Sequence, residues 1–142
     1  MRPVGVTLVG AYEIFRAVSA FVVGGYLMKY TGLAAKFFSF AHGNPFERLF
    51  IGMAYAVVVC VIVFAMAHAF AGYGILQMRN WGRLLVLLLS AIELATALNG
   101  AVHGQSVLLV SGLMDAAVII YLAMPPVRRA FHSNPGPIGA AA

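Results

Sequence analysis

Four long apolar runs divide this chain, and the polar residues fall mostly between them. The runs predict helices over about 4–28, 45–78, 81–99 and 106–124. A hydrocarbon core of about 30 Å asks for roughly 20 apolar residues in a helix, and each run approaches or exceeds that length. Consecutive spans joined by short polar turns must alternate in direction. The expectation is therefore an all-α, integral membrane four-helix bundle of up-down-up-down topology, occupying residues 1–131.

The polar residues sharpen the boundaries. Asn44-Pro45-Phe46-Glu47 has the spacing of a capping box, with Asn44 as N-cap and Pro45 in the first helical position. Lys29 to Gly43 is then the longest connection. Its aromatic residues Tyr30, Phe37, Phe38 and Phe40 point to a segment lying in the membrane interface. The second run, at 1.5 Å per residue, rises about 50 Å and should project from the bilayer, tilt, or bend at Gly72 or Gly74. Arg79-Asn80-Trp81-Gly82-Arg83 reads as a tight polar turn, in which Arg79, Trp81 and Arg83, with Tyr73 a little upstream, act as interfacial anchors. Asn99-Gly100 is a candidate helix stop, and Pro125-Pro126 ends the fourth run. A short basic amphipathic turn follows, and the Pro-, Gly- and Ala-rich tail from His132 to Ala142 is expected to be disordered.

Composition agrees with the pattern. Of 142 residues, 63% are hydrophobic and 9% charged, and the mean hydropathy is +0.95. Soluble domains carry about 25% charged residues. The net charge of +5 is not a nucleic-acid signal, because the basic residues sit at the ends of apolar runs, as topology determinants do. Arg2, Arg79, Arg83, Arg128 and Arg129 fall on one predicted side, and Lys29, Lys36 and Arg48 on the other. That imbalance places both termini in the cytoplasm and the protein in the cell (inner) membrane. Cys60 is the only cysteine, which excludes an intrachain disulfide, and mid-run it reads as a small buried apolar residue.

Five ionisable residues interrupt the apolar runs: Glu13 and Arg16 in the first, His68 in the second, Glu93 in the third and Asp115 in the fourth. In the first run, eleven Val, Leu, Ile and Phe residues favour insertion by roughly 0.3 to 0.6 kcal/mol each. Glu13 and Arg16 together oppose it by about 5 kcal/mol. The balance is near zero, so Arg16 has to be paired. Counting inward from the predicted helix ends places Arg16, His68, Glu93 and Asp115 at one depth, with Glu13 about a turn nearer the cytoplasm. Small residues share their faces: Ala17, Ala20 and Gly24 with Glu13; Ala65, Ala71 and Gly72 with His68; Ser90, Ala97 and Gly100 with Glu93; Ser111 and Gly112 with Asp115. Small residues let helices approach and turn such faces inward. Three carboxylates around one guanidinium cannot all stay ionised. The plainest role for this cluster is an ion-pair and hydrogen-bond clamp between helices. A proton or ion pathway and a face toward another protein are the other two readings.

Other signals carry less. Gly72-Tyr73-Gly74 lacks the Thr-Val and re-entrant loop of a potassium filter and sits in a spanning helix, where packing accounts for it. His68 has no histidine at matching depth for a bis-His haem, since His42 and His103 fall in outer loops and His132 in the tail. A pigment needs only one ligand, so the cofactor remains unknown. His42, His103 and Glu47 share a predicted side, where loop histidines are more often simply solvated than metal-bound. No nucleophile elbow, phosphate-binding glycine loop or HExxH spacing is present, and no enzymatic activity is expected.

The opening RPVGVTLVGAY, the hairpin RNWGR and the closing DAAVIIYLAMPPVRRAF together resemble small four-helix integral membrane proteins of bacteria, a family without a settled activity. The resemblance implies a fold and no site residues, and Glu13 and Arg16 fall outside its pattern. The expected function is that of an accessory or scaffolding subunit, in contact with the lipid bilayer and with other membrane subunits or copies of itself. The alternative is a small proton-coupled transporter using Glu93, Asp115 and His68 as relay, with Arg16 tuning them.

Overall fold

The computed structural model describes residues 3–40, 45–105 and 107–132, and these form five helices: α1 (Val4–Phe40), α2 (Pro45–Leu76), α3 (Asn80–Val102), α4 (Val107–Ala123) and α5 (Pro125–His132). No strand occurs among the described residues. Three helical stretches, Val4–Lys36, Arg48–Leu76 and Asn80–Val102, are long and apolar enough to cross a membrane, and α4 with α5 makes a fourth if that bent pair is taken as one span.

The largest departure from the sequence expectation is α1. It does not stop at Met28 but continues through the segment expected to lie as a connection, to a total of 37 residues. No proline interrupts residues 29–40, and Leu33, Ala34, Ala35 and Lys36 are good helix formers, so nothing in that stretch ends the hydrogen-bond ladder. Gly72 and Gly74 likewise leave α2 one continuous helix. Asn44, Ser106 and the tail beyond His132 lie outside the described residues, and so does the side chain of Glu47.

Helix ends follow backbone chemistry. At the end of α2, Arg79 N–H donates to Gly74 O (2.9 Å) and Met78 N–H to Ile75 O (2.9 Å). This is a Schellman turn, and Met78 occupies its left-handed position with φ 54°. A non-glycine residue there is strained by roughly 1 kcal/mol or more. Burial of the Met78 side chain offsets that cost. The end of α3 repeats the pattern with the favoured residue: Gln105 N–H donates to Gly100 O, Gly104 N–H to Ala101 O, and Gly104 has φ 83°. The stop is therefore Gly104 and not Asn99-Gly100, because only Gly104 takes the left-handed conformation. After α4, Pro125-Pro126 cannot continue the ladder. The chain turns by 68° into α5, whose Val127 and Phe131 are buried while Arg128 and Arg129 are exposed.

The chain divides into two compact units, residues 1–14 with 70–142, and residues 15–69. In the first, α3 packs on α4, and glycines mark where helices touch. A methyl group at Gly74 would lie 2.7 Å from the Gly82 Cα, and one at Gly82 would strike the Gly74 backbone. The two helices flanking the Met78 turn thus meet backbone to backbone. A methyl at Gly72 would lie 3.1 Å from Glu13 Cβ and 3.1 Å from Gly10 O, and Gly10 in turn faces Leu76 and Ile75, which sets α1 antiparallel to the end of α2. In the second unit Gly24 faces Ile62 and Val61. There the buried positions are Ala17 and Gly24 on α1, and Val58, Ala65 and His68 on α2.

Gly82→Ala forces two backbones apart and should lower stability by several kcal/mol, whereas Gly25→Ala, with nothing within 4 Å of the added methyl, should be neutral or stabilising by up to about 1 kcal/mol. Thermal unfolding of both variants in detergent measures the contrast.

Candidate polar site within the helices

The five ionisable residues of the apolar runs are distributed over both units. Glu13 (α1), Glu93 (α3) and Asp115 (α4) belong to the first, and Arg16 (α1) and His68 (α2) to the second. Glu13 and Asp115 are fully buried and His68 nearly so, while Arg16 and Glu93 are half-buried. Each of the five takes part in at least one polar, ionic or ring interaction. His68 stacks edge-on against Phe64, one helical turn back, with ring centroids 4.7 Å apart and an interplanar angle of 73°.

Register places the acids of the first unit. Gly112 of α4 sits on Ala97 of α3, where an added methyl would be 2.9 Å from the alanine Cβ. The helices run antiparallel. Glu93, four residues before Ala97, and Asp115, three after Gly112, therefore reach nearly the same level, within about 2 Å along the axes. Glu13 packs against Gly72 on the face α1 turns to α2. In the second unit the contact of Gly24 with Ile62 and Val61, followed along both helices, brings Arg16 and His68 within about 3 Å of one level.

The small residues expected beside these groups are mostly inside. Ala17, Gly24, Ala65, Ala71, Gly72, Ser90, Ala97, Gly100 and Gly112 are all buried. Ala20 is only half-buried, and Ser111 is the clear exception. It is exposed and its hydroxyl donates to Leu108 O (2.9 Å) on its own helix. Cys60 also departs from expectation and lies on the exposed face of α2.

Among the four expected interfacial anchors, Tyr73 and Trp81 are exposed and Arg79 is half-buried. Arg83 lies inside rather than on the surface: it is only 7% exposed, and its Nε is buried without a hydrogen-bond partner among the described residues. The cause is its helix. α3 begins at Asn80, inside the stretch expected to be a turn, and Arg83 then falls in the inward row with Val86, Ser90, Ala97 and Gly100. The same period could have found it, since these residues recur at helical spacings of three, four and seven. Arg128, in the exposed face of α5, is close enough for its charge to act on Arg83.

No group of three or more His, Cys, Asp and Glu residues converges among the described residues. His103 is engaged at the end of α3, with Nδ1–H donating to Asn99 O at 2.7 Å. His42 lies outside the described residues. No family model, curated protein or solved structure matches this chain.

The register that levels Glu93 with Asp115 has a direct chemical check. In a Cys60→Ser background, Ala97→Cys with Gly112→Cys should form an intrachain disulfide on mild oxidation, because the Cβ at 112 would lie 2.9 Å from that of residue 97, and the helices need part by only about 1 Å to bring the pair into disulfide range. Ala95→Cys with Gly112→Cys should not. Thiol counting by mass spectrometry after alkylation reads the difference.

Proposed function

We propose that this chain is a polytopic protein of the cell membrane, a four-helix bundle with both termini in the cytoplasm, that serves as an accessory or scaffolding subunit of a larger membrane complex or of a homo-oligomer. The observation that carries the proposal is the surface of α2. In the span Arg48–Leu76 only 11% of the most apolar window is buried. Phe50, Met53, Val57, Val59, Val63, Met66 and Phe70 are all exposed. Water does not tolerate an apolar surface of that extent, and lipid or another apolar helix does.

Length supports the subunit role over a bundle complete in itself. The 37 residues of α1 rise about 55 Å and the 32 of α2 about 48 Å. A core of about 30 Å crossed at a steep tilt of 40° accommodates about 39 Å. Each helix therefore extends past the hydrocarbon, and Tyr30, Leu33, Phe46 and Leu49, exposed near the α1–α2 connection, call for a covering surface.

The complete burial of Glu13 and Asp115 in apolar helices favours one second reading, a proton-coupled transporter or ion-conducting protein, since acids inside spanning segments commonly mark proton paths. Native mass spectrometry of the protein extracted in mild detergent tests the first reading, which expects a stoichiometric partner subunit or a defined homo-oligomer. A bare monomer, together with proton flux in proteoliposomes that Asp115→Asn abolishes, would replace it with the second.

A further inference from the structure

We infer that Arg83 and Arg128 hold a phosphate-bearing anion at the junction of the α2–α3 turn with α5, and that its source is the headgroup of an anionic phospholipid. Arg83 carries a permanent charge, yet its Nε–H is buried and meets no acceptor among the described residues. Such a group is costly to bury unless something compensates it. The charge acting on it is that of a second arginine, Arg128, which makes the cost larger. On its own helix the next acid is Glu93, ten residues and about 15 Å further along. An anion between the two guanidinium groups removes both penalties, and guanidinium pairs suit the oxygens of a phosphate.

Two further features focus on the same place. Arg83 lies in the opening turn of α3, whose N-cap residue Arg79 supplies no side-chain hydrogen bond to the helix end. The partial positive charge of that terminus therefore adds to the two side chains. Asn80 Oδ1 is also buried there without a partner. It is an acceptor, which matches a ligand bearing a hydroxyl beside its phosphate, as a glycerol headgroup does. The lipid source rests on the membrane reading. α5 leaves α4 at 68° with Val127 and Phe131 inward and Arg128 and Arg129 outward, the arrangement of a short helix lying along a membrane surface.

The test uses the full chain, purified in detergent and delipidated, titrated with short-chain phosphatidylglycerol, short-chain phosphatidylcholine and inorganic phosphate. Binding is read by native mass spectrometry and by the shift in Tm. Phosphatidylglycerol should bind saturably and raise Tm where phosphatidylcholine does not. Arg83→Met and Arg128→Gln should each weaken it by about tenfold or more, and Arg48→Gln, at the other end of α2, should stay within about twofold. Because the Arg128 side chain is exposed, Arg128→Gln decides the matter should Arg83→Met fail to fold. Inorganic phosphate that matches phosphatidylglycerol upholds the site and makes its occupant a soluble phosphate. Equal binding of both lipids, no binding of any ligand, or wild-type affinity in Arg128→Gln overturns the site. Carbonate extraction of cell membranes reports membrane integration separately, so a failed site and a failed membrane reading are told apart.

Discussion

Gly74 and Gly82 press backbone on backbone, with no room for a methyl group between them. Much of the first unit follows from that contact. It fixes how closely α3 starts beside α2, and with the Schellman turn at Met78 it leaves three residues between the helices. Once α3 begins at Asn80, its row of Arg83, Val86, Ser90, Ala97 and Gly100 is committed to the interior. Ala97 then receives Gly112 of α4, and Glu93 and Asp115 come level. Packing of this kind needs no hydrophobic drive between helices. It needs close approach, which glycine, alanine and serine permit, and polar groups satisfied where they are shielded.

The same economy explains the composition of the surface. Inward rows are narrow and mix small and polar residues with a few large ones such as Ile75, Leu89 and Leu122, so most of the large apolar side chains are left outside. Leu84, Leu88, Ile92 and Leu98 of α3 are exposed, as are Leu113 and Ile120 of α4. A soluble domain has the opposite arrangement. Buried Glu13, His68 and Asp115 among exposed leucines and valines are consistent with helices whose solvent is lipid.

The helical class was legible because four apolar runs and their polar breaks leave few alternatives, and the inward rows of α1 to α3 followed from small residues at helical spacing. Three features were not. α1 runs on to Phe40 because helix continuation needs only the lack of a terminator, and the aromatic composition of residues 29–40 carries no such signal. The end of α3 depends on which glycine takes positive φ, and Gly100 and Gly104 look alike in a sequence. The charge of Arg83 points to the surface, whereas its spacing from Val86, Ser90 and Ala97 places it inside. Charge and periodicity disagreed there, and periodicity prevailed, because a rigid helix cannot turn one residue away from its row.

The decisive question is whether the exposed face of α3 meets lipid while its small-residue face meets protein. Single nitroxide labels at successive positions from 84 to 98, in a Cys60→Ser background in lipid nanodiscs, report collision rates with oxygen and with a water-soluble nickel complex. Low nickel collision is expected at the central positions, with an oxygen profile of period near 3.6, maxima at Leu84, Leu88, Ala95 and Leu98 and minima at Val86, Ser90 and Ala97. High nickel collision at Leu88 and Ala95, or an oxygen profile without that period, would contradict this placement of the helix.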